Sequence, residues 1–94
     1  MIDVRRTSEG DPATFAVVVQ EGRTETAHVV TLSALDQARY FGEATPEAGI
    51  AAAFRFLLDR EPKEAILRRF DLSVISTYFP EFGSTIGAYL ESGE

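Results

Sequence analysis

The chain has 94 residues, 45% of them hydrophobic, with a formal net charge of −6, no cysteine and a single histidine, His28. This length suits one domain, and the apolar content is sufficient for a hydrophobic core, which excludes the disordered and fibrous classes. Disulfides, thiolate metal sites and multi-histidine metal sites are also excluded, so we expect a single domain over residues 1–94 with no cofactor.

Residues 1–32 have the pattern of β-strands. Ile2 and Val4 alternate with charged residues, and two runs rich in β-branched residues, 14–20 and 25–32, flank a turn at Gly22. Glycine readily adopts the positive φ that a tight hairpin needs, so the two runs are expected to pair in an antiparallel sheet of two or three strands. The run 14–20 is apolar on both faces, which predicts a strand that is central or covered on both sides.

Residues 33–94 have the pattern of helices. Ser33 predicts the start of a short helix over 34–41, and Thr45-Pro46-Glu47 has the residue order of a helix start. The second helix, about 46–60, carries an apolar stripe, and further helices are expected over 63–70, over 74–79 and from Pro80 onward. The predicted fold class is therefore α+β, with a small antiparallel sheet of two or three strands packed with three or four helices.

Phe56 does not belong to the apolar stripe of the second helix. At 100° per residue it falls between Asp59 and Arg60, on the face expected to meet water. One interpretation is that the sheet and the C-terminal helices cover both faces of this helix, which buries Phe56 within the chain. The other is that Phe56 is the centre of an interface formed with Arg55, Asp59 and Arg60. The second interpretation predicts a homodimer or the binding of another protein.

Basic residues are concentrated in the segment 55–69, although the chain is acidic as a whole. Arg60, Lys63, Arg68 and Arg69 form a candidate basic patch beside a layout that resembles a helix-turn-helix. Residues 70–94, however, contain no Arg, Lys, Asn or Gln, the residue types that most often read bases. Binding to nucleic acid, by a regulator of the antitoxin or repressor size class, is therefore the alternative function.

The sequence predicts neither a catalytic site nor a metal site. His28 is interpreted as a structural or surface histidine, because no partner for catalysis can be assigned to it. Four glutamates lack the spacing of a metal-binding loop and are interpreted as solvated charges: Glu43, Glu47, Glu61 and Glu64. The longest apolar run, 50–54, is too short to span a bilayer, and the first residues lack the apolar core of a signal peptide. We therefore expect a cytoplasmic, non-catalytic interaction or regulatory protein that self-associates.

Two segments of the helical region carry a specific pattern. Residues 54–72 read F-R-F-L-L-D-R-E-P-K-E-A-I-L-R-R-F-D-L, and residues 78–82 read Y-F-P-E-F. Together with the preceding Thr45-Pro46-Glu47, this pattern resembles a family of short bacterial proteins of unassigned function. The resemblance implies that the segment 60–70 is a shared feature of such proteins, and it brings no activity.

Overall fold

A four-stranded mixed sheet carries the helices on one of its faces in the computed structural model, which describes residues 1–92. The strands are β1 (Ile2–Ser8), β2 (Ala13–Glu21), β3 (Thr24–Leu32) and β4 (Arg69–Asp71), in the order β1-β2-β3-β4. β1, β2 and β3 pair with one another in antiparallel fashion, whereas β4 pairs with β3 in parallel. The α+β class is confirmed, but the sheet has four strands rather than two or three. Residues 93 and 94 of the predicted domain lie outside the described residues.

Three helices begin at the predicted residues, Ala34, Pro46 and Val74, whereas the last begins at Phe82 rather than at Pro80. Helix α1 (Ala34–Asp36) continues as a π-helical turn (Gln37–Phe41), and it is followed by α2 (Pro46–Leu58), α3 (Val74–Tyr78) and α4 (Phe82–Ser92). The Ser33 hydroxyl accepts a hydrogen bond from the backbone N–H of Asp36, and the Thr45 hydroxyl accepts one from that of Ala48. Both predicted N-caps are therefore confirmed.

The segment 63–70 is not the predicted helix. It forms a single 3₁₀ turn (Lys63–Ala65) and then enters β4. The N–H of Val29 donates to the carbonyl of Arg68 at 2.8 Å, and the N–H of Leu72 donates to the carbonyl of Thr31 at 2.9 Å. The backbone N–H and C=O groups of this segment therefore form hydrogen bonds with the edge of β3 instead of within a helix. This pairing overrides the local helical pattern.

The two faces of the sheet differ in their burial. Phe15, Val17 and Val19 of β2 are fully buried in the core, whereas the alternate residues Ala16 and Val18 are half-buried. The strand is therefore central, as predicted, but helices cover only one of its faces. The hairpin between β2 and β3 turns at Gly22, whose φ of 59° is the predicted positive value.

Candidate interaction site

Phe56 lies in the core of the chain. Its side chain is 0% exposed, and its ring packs nearly perpendicular to the rings of Phe79, Phe82 and Tyr89 at centroid distances of 5.9, 5.0 and 5.7 Å. The guanidinium carbon of Arg60 lies 3.7 Å from the centroid of the Phe56 ring. The prediction that Phe56 is the exposed centre of an interface is therefore wrong. Helix α2 packs against both β1 and α4, so it buries two faces within one chain.

The charged residues of the candidate interface join α2 to α4. Arg55 donates to the carbonyl of Tyr89 at 2.9 Å, and the Tyr89 hydroxyl donates to the carboxylate of Asp59. Arg60 forms an ion pair with Glu81 at 3.0 Å. The pKa of Arg60 is raised, mainly by its hydrogen bond with the Tyr89 hydroxyl. These side chains thus stabilise the contact between α2 and α4, and their polar groups already have partners within the chain.

Lys63 is the most deeply buried cation of the candidate basic patch. Its side-chain ammonium donates to the hydroxyl of Thr24 at 2.6 Å and to the carboxylate of Glu64 at 2.7 Å, and the residue is only 4% exposed. The bond from Lys63 is the main cause that lowers the pKa of Glu64. Lys63 therefore fixes the 3₁₀ turn to the start of β3.

The four cations of the candidate patch do not form one continuous surface. Lys63 is buried, and Arg60 is engaged with Glu81 and with the Phe56 ring. Only Arg68 and Arg69, which lie at the start of β4, are exposed. Two exposed arginines are therefore what remains of the patch for contact with a phosphate backbone.

His28 connects β3 to the loop before β4. Its Nδ1 donates to the carbonyl of Leu67 at 2.7 Å, and its Nε2 lies 2.8 Å from the hydroxyl of Thr26. The ring is buried and lies against Phe54 at a centroid distance of 5.3 Å. Both ring nitrogens are thus occupied, and the residue has the environment of a structural histidine.

An apolar pocket opens between the end of α2, the 3₁₀ turn, β4 and α3. Its volume is about 280 Å³. Its walls and rim are formed mainly by large apolar side chains, which include Leu57, Ile66, Leu67, Phe70, Ile75 and Tyr78. Leu67 is 47% exposed and Tyr78 is 66% exposed, so the two provide exposed apolar surface beside the opening.

Among the described residues that line this pocket, Glu61 is the only ionisable acid or base apart from the Tyr78 phenol. The residue is partly buried, and burial raises the pKa of its carboxyl group. No lysine or arginine in residues 1–92 lies within ion-pair distance of it. The Glu61 carboxylate is therefore partly rather than fully solvated. The sequence carries no signal for the pocket, because the pocket exists only where β4 replaces the predicted helix.

No protein-family model, curated protein or solved structure matches the chain. Within residues 1–92, no group of three His, Cys, Asp or Glu side chains is placed to hold a metal ion. None of the described helices has both the length and the apolar character needed to cross a membrane. Function is therefore inferred from the geometry of this chain alone.

Proposed function

We propose that this chain is a non-catalytic interaction protein whose pocket binds an apolar side chain of a partner protein. In the partner, that apolar side chain is adjacent to a positively charged residue. The observation that carries the proposal is the combination, in one pocket, of an apolar wall, the exposed side chains of Leu67 and Tyr78, and the Glu61 carboxylate. The occupied ring nitrogens of His28 support the non-catalytic part, since neither is free to act as a base.

The size of the pocket is sufficient for one large apolar side chain. Its volume of about 280 Å³ lies at the lower limit of small-molecule sites, which enclose about 300–1,000 Å³. Tyr78 and Leu67 border the opening and can extend the contact over a flat partner surface. Aromatic and large aliphatic groups around a pocket are typical of the centre of a protein interface.

The charge of Glu61 specifies the partner further. Burial makes the ionised carboxylate less stable than in water, which is why its pKa is raised. A lysine or arginine of the partner would restore the lost stabilisation by a charge-assisted hydrogen bond. An acidic partner would instead meet a like charge in a poorly solvated place. We therefore expect a basic, amphipathic segment as the partner.

The alternative, binding to nucleic acid, has less structural support. Arg68 and Arg69 are adjacent and exposed, but Lys63 and Arg60 are held by contacts within the chain. A net charge of −6 also opposes approach to a phosphate backbone. Self-association remains part of the proposal, although the buried Phe56 does not provide its surface.

Selection of peptides from a random display library tests the proposal. We expect the wild type to enrich peptides in which a large apolar residue lies close to Lys or Arg. Leu67→Asp is expected to abolish binding of the selected peptides, and Glu61→Gln is expected to remove the preference for basic residues. Leu35→Asp is the matched control, because Leu35 is 68% exposed and does not line the pocket.

Three outcomes would contradict the proposal. The first is an absence of enrichment, and the second is equal loss of binding in Leu67→Asp and Leu35→Asp. The third is binding of duplex DNA at physiological salt that is tighter than the non-specific range of roughly 10⁻⁴ to 10⁻⁶ M and is lost in Arg68→Glu/Arg69→Glu. That last result would establish the alternative function.

A further inference from the structure

We infer that two copies of this chain associate through the edge of β1, forming a continuous antiparallel sheet with its two-fold axis at Val4. This inference names a surface for self-association and is independent of the pocket, which lies at the other end of the sheet. Within the described part of the chain, β1 is an edge strand that pairs only with β2. An edge strand presents unpaired backbone groups that a second strand can bind.

The hydrogen-bond pattern shows which backbone groups face outward from the edge. Met1 and Gln20 exchange both of their backbone hydrogen bonds, at 2.7 and 2.8 Å. Hydrogen-bonded and non-bonded residue pairs alternate along an antiparallel ladder. The backbone groups of Asp3 and Arg5 therefore bond to β2, whereas the backbone groups of the even-numbered residues beside them point away from β2. The outward N–H and C=O groups are therefore those of Ile2, Val4 and Arg6. They form no other hydrogen bond within residues 1–92.

The charges on β1 select one register for this pairing. Asp3 and Arg5 are exposed on the face of the sheet that the helices do not cover, and neither forms an ion pair within residues 1–92. A two-fold axis at Val4 places Asp3 of each copy opposite Arg5 of the other. An axis at Asp3 or at Arg5 would instead place two like charges opposite each other, which is unfavourable.

The same register is compatible with the inner face. Val4 lies opposite Val4 of the second copy, and Ile2 lies opposite Arg6, whose aliphatic stem can cover it. Ile2 and Val4 are only half-buried in the single chain, so this pairing removes further apolar surface from water. The register irregularity of β1 falls between Arg6 and Ser8, beyond the residues that pair. The opposite edge, β4, is only 3 residues long and offers a much shorter template.

Charge reversal with rescue tests the register. Sedimentation equilibrium should show a reversible dimer for the wild type, and Asp3→Arg or Arg5→Asp should each weaken it by about tenfold or more, because each replaces two opposite-charge pairs with two like-charge pairs. The double variant Asp3→Arg/Arg5→Asp should restore the dimer, since the charges are exchanged but remain complementary. Glu25→Arg and Arg69→Asp are the controls on β3 and β4, and they should leave the dimer constant unchanged.

Amide hydrogen exchange provides a second measurement that does not depend on the variants. The N–H groups of Ile2, Val4 and Arg6 should become protected as the concentration of wild type rises. The N–H of Arg23, an exposed residue of the hairpin turn, should not change. A wild type that stays monomeric at about 1 mM, where a binding free energy of about −4 kcal/mol would be visible, overturns the inference. So does a dimer that is insensitive to both single reversals, or a folded double variant that does not recover.

Discussion

Replacing Phe56 by alanine measures how much the joint between α2 and α4 stabilises the fold. The ring is fully buried and contacts three other aromatic rings, so the substitution leaves a cavity that rigid neighbours fill poorly. Such Phe→Ala changes cost about 3–5 kcal/mol. Arg60 also loses a cation–π contact worth about 0.5–1 kcal/mol. We expect a total loss of about 4 kcal/mol, a large part of the roughly 5–15 kcal/mol that stabilises a domain.

Urea unfolding followed by circular dichroism is the assay for this loss. The midpoint should fall strongly at an unchanged slope, because the surface exposed on unfolding stays nearly the same. Phe56→Leu keeps most of the volume and should cost about 1.5 kcal/mol or less, which keeps the measurement possible if the alanine variant is unfolded. Tyr78→Ala is the matched control at an exposed aromatic, with an expected change within about 0.5 kcal/mol. A loss below about 1 kcal/mol in Phe56→Ala would refute the reasoning.

Two further predictions concern α2, α4 and the pocket. Gly49→Ala should destabilise the protein by about 1–3 kcal/mol, because a Cβ there overlaps the ring of Phe41. Gly87 lies on α4 with open space around it, so Gly87→Ala should stabilise the protein by about 0.5–1 kcal/mol. Thermal melts in which both variants shift the midpoint in the same direction would contradict this. Burial raises the pKa of Glu61 in the folded state, so the protonated carboxyl group favours the folded state. This contribution to the stability of the fold is fully present below the unfolded pKa, and it is lost as the pH rises through the folded pKa. Glu61→Gln should therefore be more stable than the wild type at neutral pH, and the difference should disappear in acid; a difference that grows in acid would be evidence against the desolvated carboxylate.

The features that could be predicted from the sequence depend on neighbouring residues. Ser33 and Thr45 cap their helices through groups three residues away, and Gly22 adopts its positive φ within a two-residue turn. The β-branched residues of 14–20 likewise predict a strand without reference to any distant contact. These features were predictable because the physical cause and its effect lie within one turn or one strand.

The features that could not be predicted depend on contacts between distant segments. The helical periodicity places Phe56 outside the apolar stripe of α2. Periodicity along one helix cannot show that α4 covers the second face of α2, where Phe56 lies. In the same way, β4 forms because the edge of β3 is available. Its backbone bonds begin between Val29 and Arg68, which are far apart in the sequence. The pocket and the environment of Glu61 follow from β4, so they were also beyond local patterns.

The two proposed surfaces lie at opposite ends of the sheet, and this arrangement has a consequence for the assembly. The β1 edge belongs to the first strand in the order β1-β2-β3-β4, whereas β4 and the segments beside it form the pocket. A dimer through β1 would leave both pockets open, separated by seven strand spacings, which at about 4.8 Å each amounts to about 34 Å. Two equal sites at a fixed distance favour a partner that carries two basic segments, because the second segment then binds at a high effective concentration. The single reversals Asp3→Arg and Arg5→Asp should consequently reduce the affinity for such a bivalent partner without changing the affinity of either pocket for a single peptide.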